Sequence, residues 1–185
     1  ITDAHGEDRQ KIMTHFGVMY QQGALFGSMN LLENVTLFME EYTTLDREQM
    51  NLLARCKLDL VGLLPYEQYM PSEISGGMQK RAAIARAMAL DPKILFLDEL
   101  SAGLDPITSA DLDRTILDLS QNLGITFVIV SHELASIYSI ANRVIMLDKS
   151  AKGIIAEGDP KVLRDQSPDP RVHQFFNRIM SKEAV

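Results

Sequence analysis

The sequence has one cysteine, no long apolar run and no surplus of positive charge, and each shortage closes off a class of protein. Cys56 is the only cysteine in 185 residues, so no intramolecular disulfide can hold the fold, as suits a reducing compartment. It reads as a small core residue. No apolar stretch approaches the roughly 18–20 residues that a bilayer-spanning helix needs, and the opening from Ile1 has no signal-peptide character. Any membrane link is therefore expected through a partner. Lysine and arginine number 18 against 25 acidic residues, a net charge of -7. That balance argues against nucleic-acid binding by bulk electrostatics. What is present, 46% hydrophobic and 23% charged residues, is ordinary for a globular protein. The length suits one domain, or one plus a small subdomain, with a real core.

Pattern then divides the chain. Residues 1–15 are polar and read as a loop and short helix, with His5 and His15 solvated. Phe16 to Tyr20 is a short strand, and Gln21 stands at its end, with Gln22 a neighbouring candidate for any role there. Ser28 to Asn30 offer capping residues for a helix over LLENVTLFMEEY, with Leu32, Val35, Phe38 and Met39 on one face. Arg47 to Leu64 is a second helical region whose buried face is expected at Leu52, Leu53, Cys56, Leu60 and Leu63, and Pro65 stops it. Ser75 caps the helix that Gly76 and Gly77 open. Free N–H groups at such a terminus, beside glycines that admit close approach, can bind an anion. Read alone, the stretch is as well described by an ordinary capped helix. Lys80, Arg81 and Arg86 read as its solvated face.

The stretch Lys93 to Asp105, KILFLDELSAGLD, organises the rest. Ile94 to Leu97 are four consecutive apolar residues after Pro92, the pattern of a parallel strand covered on both faces. Asp98 and Glu99 sit at its C-terminal end, the edge where open α/β sheets bind ligands. Carboxylates beside an apolar strand are costly without a metal, a proton or a partner. Read alone, the pair is better described as a solvated acidic turn. Asp105 caps a helix from Pro106 to Asn122 with Leu112, Ile116 and Leu119 inward, and Gly124 ends it. Ile125 to Val130 is another buried strand, with His132 just beyond it. Ala135 to Ala141 is a helix. Arg143 to Asp148 and Gly153 to Gly158 are short strands, and Phe175, Phe176 and Ile179 mark a terminal amphipathic helix that packs on its own domain or on a second subunit.

These pieces together resemble an ATP-binding cassette (ABC) ATPase. ILFLDE and SAGLD resemble its Walker B motif and D-loop, ISGGMQKR its signature, IVSH its switch strand, and Tyr20-Gln21 before GALF its Q-loop. The resemblance covers nearly the whole chain, but no G-x-x-x-x-G-K-[ST] occurs in it. The chain is thus expected to be an N-terminally truncated piece lacking the Walker A loop.

The resemblance implies an α/β fold, a P-loop NTPase-like, mainly parallel sheet with an inserted helical subdomain. Residues 1–185 would form a partial ATPase domain, with the subdomain at about 28–74 and an amphipathic tail at about 167–185. It implies ATP and Mg²⁺ as cofactors. Asp98 holds Mg²⁺ through water, Gln21 helps coordinate it, and Glu99 acts on the attacking water. His132 bonds the γ-phosphate. Ser75, Gly76 and Gly77 bind the γ-phosphate held by a second subunit, and Asp105 lies in the loop that crosses the dimer interface. Met78 replaces the usual glutamine, Leu100 the usual proline and Glu133 the commoner aspartate.

QGALF, SGGMQKRAAIARAMALDP, GLDPITSADLD and the tail resemble the branch that energises phospholipid transport. The implied partners are a second copy in a homodimer, a membrane permease and an MCE-domain lipid-binding protein, with no nucleic acid. The implied location is the cytoplasm, peripheral on the inner face of the cell membrane. The alternative expectation is a catalytically inactive fragment or interaction module. DNA-repair and ribosomal relatives would need long coiled coils or duplicated cassettes, and neither is visible.

Overall fold

The computed structural model describes residues 5–21 and 23–178. Ile1, Gln22 and Ile179 lie outside the described residues. The chain divides into two compact units, Ile1–Ser131 and His132–Val185.

The first unit begins with α1 (Gly6–Met13) and β1 (Phe16–Met19). There follow α2 (Leu31–Tyr42), α3 (Arg47–Leu60), two short 3₁₀ turns at Leu64–Tyr66 and Pro71–Glu73, and α4 (Gly76–Ala87). It closes with β2 (Ile94–Asp98), α5 (Pro106–Leu123) and β3 (Thr126–Val130). The strands form a parallel sheet in the order β1-β2-β3, with Val18 opposite Phe96 and Phe96 opposite Val128. The α/β reading therefore holds, and the helices inserted between β1 and α4 pack on one another and on α4.

Local chemistry sets these boundaries. Asn30 and Glu33 form a reciprocal capping box at α2, as do Asp46 and Gln49 at α3. Gly124, at φ +66°, ends α5 in the left-handed conformation that glycine adopts without penalty. Gly17 is needed for proximity: an added Cβ would collide with the carbonyl oxygen of Ala87 and the side chain of Leu95, so α4 seats directly on β1.

Three expectations about burial fail. The sheet is covered on one face only. Leu95 and Leu97 are buried, whereas Val18, Phe96 and Val128 on the other face are 45%, 39% and 43% exposed. A short apolar run carries no periodicity that separates one covered face from two. On α3 the buried residues are Met50, Ala54, Lys57 and Leu58, while Leu52, Cys56 and Leu60 are exposed. Leu63 is buried as expected, just past the helix end. Two apolar stripes compete on α3, and the one containing Lys57 meets α2 and α4 because the stem of Lys57 packs and its ammonium reaches Asp91. Finally, Lys80 and Arg86 are each 7% exposed, so they are not a solvated face. Carbonyls of the segment after β1 receive them, and helical periodicity carries no sign of that.

The second unit holds α6 (Leu134–Ile140), the antiparallel pair β4 (Val144–Asp148) and β5 (Gly153–Gly158), α7 (Pro160–Gln166) and α8 (Pro170–Asn177). Its core gathers Leu134, Ile137, Leu163, Val172 and Phe176. Of the aromatic pair expected on the terminal helix, Phe176 is buried and its carbonyl accepts from the Tyr138 hydroxyl at 3.1 Å. Thus α8 packs within its own unit.

Candidate active site

The polar residues of the first unit converge where β1 and β2 end. Gln21, Gly76, Lys80, Gly103 and Leu104 line one cleft of about 510 Å³. Three separated sequence segments, the end of β1, the start of α4 and the loop before α5, thus meet at one place.

α4 supplies the start of a helix. Ser75 caps it, its Oγ accepting from the Met78 N–H at 3.3 Å. Gly76 and Gly77 are its first two residues, whose N–H groups have no acceptor within the helix. The two glycines differ. Gly76 is exposed at the cleft, whereas a Cβ on Gly77 would collide with the Thr108 methyl of α5. Gly77 therefore serves the packing of α4 on α5 whatever else it does.

β2 supplies the carboxylates. Asp98 is exposed, and Glu99 is half-buried with φ +48°, a left-handed conformation that a side-chain-bearing residue rarely adopts. Its N–H donates to the Val130 carbonyl at 2.9 Å, which ties the turn to the neighbouring strand. Leu100, buried where the related pattern has proline, spares Glu99 the restriction that a following proline imposes. Downstream, Asp105 accepts from the N–H groups of Ile107 and Thr108, both at 3.0 Å, and from the Thr108 hydroxyl at 2.6 Å. The hydroxyl bond and then these N–H bonds hold its carboxyl below the usual range.

The segment after β1 is held from α4. Lys80 Nζ donates to the Gln21 carbonyl. Arg86 donates to the carbonyls of Gly23 at 2.7 Å and Ala24 at 2.6 Å, and its guanidinium lies 5.8 Å and 6.0 Å from the ring centres of Phe26 and Phe38. Burial pushes both cations below their ordinary pKa values. The charges of Glu99 and Asp98 oppose the shift at Lys80. Fully buried Asn34 of α2 secures the same segment further along, exchanging hydrogen bonds with the backbone of Phe26 and donating to Met29 and Asn30. Sequence reading singled out none of Lys80, Arg86 or Asn34 for this work. The signal available was weak: polar residues set among consecutive apolar or alanine positions.

Among the described residues no three His, Cys, Asp or Glu side chains cluster as a metal cage. The carboxylates ending β2 nevertheless fit Mg²⁺, which is usually bound by one or two carboxylates together with phosphate oxygens and water. His132 opens the second unit.

Residues 1–102 match the ABC transporter family. The chain is 40% identical over 168 residues to the intermembrane phospholipid transport system ATP-binding protein MlaF of Escherichia coli K12, covering 91% of this chain and 61% of that protein. It is 39% identical over 177 residues to the probable ribonucleotide transport ATP-binding protein mkl of Mycobacterium leprae, covering 96% and 50%. Among solved structures, the ATP-binding cassette MJ0796, in a dimeric post-hydrolysis state bound to ADP and Pi, superposes with a TM-score of 0.72 at 27% identity, over 85% of this chain and 68% of that one. The chain therefore belongs to the ABC transporter family. It spans about half to three-fifths of the length of these curated relatives.

Proposed function

We propose that this chain is the catalytic part of an ATP-hydrolysing subunit that energises phospholipid transport through a membrane permease. The observation that carries this reading is the meeting of Gln21, Gly76 and the loop before Asp105 around one cleft, with Lys80 of that cleft under the charge of Asp98 and Glu99. Mg²⁺-bound ATP supplies the phosphoanhydride bond that is hydrolysed. Asp98 would hold Mg²⁺, with the Gln21 amide as a further oxygen donor, and the metal would offset charge on the phosphate oxygens. Glu99 orients the attacking water and accepts its proton. His132 donates to the γ-phosphate. Ser75, Gly76 and Gly77 present a hydroxyl and helix-terminal N–H groups to the γ-phosphate of a nucleotide held by a second copy, and Asp105 anchors the loop that crosses between copies. The helices of about 28–74 form the subdomain that meets the permease.

Similarity to MlaF supports phospholipid as cargo, and an MCE-domain protein is the further partner in this reading. Among the described residues no helix is long and apolar enough to cross a membrane. That fits a subunit held peripherally on the cytoplasmic face through its permease.

The test is steady-state ATP hydrolysis by the protein extended upstream through a phosphate-binding loop. Glu99→Gln is expected to lower kcat by about a hundredfold or more while ATP binding persists. An unchanged kcat rejects the assignment. The 185-residue chain alone, which contains no G-x-x-x-x-G-K-[ST], is expected to bind ATP weakly and turn over negligibly. If no upstream loop is encoded, the alternative of a non-catalytic chain presenting its signature face stands instead.

A further inference from the structure

The signature helix holds the backbone next to the metal-site glutamine through its own side chains. Lys80 lies on α4 one turn beyond Gly76, is 7% exposed, and donates to the Gln21 carbonyl. The residue also lines the cleft. Glu99 and Asp98 are the anionic groups whose charge acts on its ammonium. The Gly23 N–H closes a tight turn onto the Tyr20 carbonyl at 2.7 Å, with Gln21 inside it, and Gly23 itself lies against Ala83 of α4. Arg86 holds the carbonyls that follow.

We propose that Lys80 is a positioning residue of the nucleotide site: its ammonium fixes the Gln21 backbone to α4, so that the Gln21 amide and the Ser75–Gly77 helix start keep one spacing and move together. This rests on the metal and phosphate roles given above to Gln21, Asp98 and Ser75–Gly77. A lysine stem reaching through a packed helix interface needs an acceptor at its end, because a buried cation without one is strongly destabilising. Here that acceptor is a backbone carbonyl rather than a carboxylate. The grip at Gln21 lies on the residue itself, whereas that of Arg86 begins two residues later. Loss of Lys80 therefore frees Gln21 while the rest of the segment stays attached.

The test uses the ¹⁵N-labelled 185-residue chain and the variants Lys80→Met and Lys80→Arg. Methionine keeps the apolar stem and removes the donor, and arginine restores a donor. Amide hydrogen exchange at Gly23 is expected to speed up about tenfold in Lys80→Met and to return to within about threefold of wild type in Lys80→Arg, with Ile84 and Ala85 of α4 unchanged. Unchanged Gly23 exchange in Lys80→Met overturns the proposal, as does equal acceleration at Ile84, which would mean general loosening of α4. The exchange readout reports the backbone alone, so it decides whether Lys80 holds Gln21 independently of the metal and phosphate roles proposed for Gln21 and Asp98. Failure of that reading shows separately, as an unchanged kcat in Glu99→Gln of the extended protein.

Discussion

In the first unit, Lys80, Arg86 and Asn34 are buried and bond to backbone carbonyls of the segment after β1. In the second unit, Arg143, Arg164 and Arg171 pair with carboxylates at the surface. The difference lies in what each arrangement can hold. A buried donor serving a buried carbonyl is costly to remove because its partner is left unsatisfied, whereas a surface pair exchanges readily for water. These three side chains of the first unit thus stand where they keep a loop in one position. The second relies on its apolar cluster, Leu134, Ile137, Leu163, Val172 and Phe176, and uses charge only at its rim.

The comparison is broken most forcefully at the seat of α4. Gly17→Ala forces a methyl into the Ala87 carbonyl and is expected to destabilise the first unit by about 3–5 kcal/mol in urea unfolding. Arg86→Met comes next. With the carbonyls of Gly23 and Ala24 left without their donors, a loss of about 2–3 kcal/mol is expected, measured by the same melt and by exchange at Gly23. In the second unit, Arg171→Met is expected to have the smallest effect at neutral pH, and raised salt should reduce it further. If its melt falls as far as that of Arg86→Met, the contrast between the units is wrong.

Acid sharpens the same point. The hydrogen bond from the Arg171 side chain, and then its backbone N–H, lower the pKa of Asp169 from its ordinary 3.8 to about 2. Asp169 therefore binds a proton less readily when folded than when unfolded, and acidification favours the unfolded state. Its contribution is fully present above pH 3.8 and is lost as the pH falls through about 2. A pH titration of α8 protection is expected to show loss in that window, and Arg171→Met is expected to shrink the loss and raise the lower end of the window from about 2 towards 3.8.

Much of this was legible in the sequence. The ends of β1 and β2, the caps at Asn30, Ser75 and Asp105, and the stop at Gly124 are local events, written in the residues that perform them. The residues proposed for the site could be picked out because they cluster in short segments. What could not be read depends on contacts between distant segments. The burial of Lys80 and Arg86 is decided by carbonyls about sixty positions upstream. The choice between the Met50–Leu58 stripe and the Leu52–Leu60 stripe of α3 is made by α2 and α4, and the second is the richer in leucine. Lys57 misleads in the same way, since a lysine counts as polar in any pattern although its stem packs.

The backbone of Glu99 sets stability against the catalytic role proposed for its side chain. At φ +48° glycine would sit more comfortably than glutamate, so Glu99→Gly is expected to relax the turn. A lineage selected only for a durable fold would have every reason to drift there, and a directed-evolution campaign scored by heat resistance alone would be expected to discard the glutamate early. Under the role proposed for Glu99, thermostable variants of this chain are best chosen with position 99 held fixed.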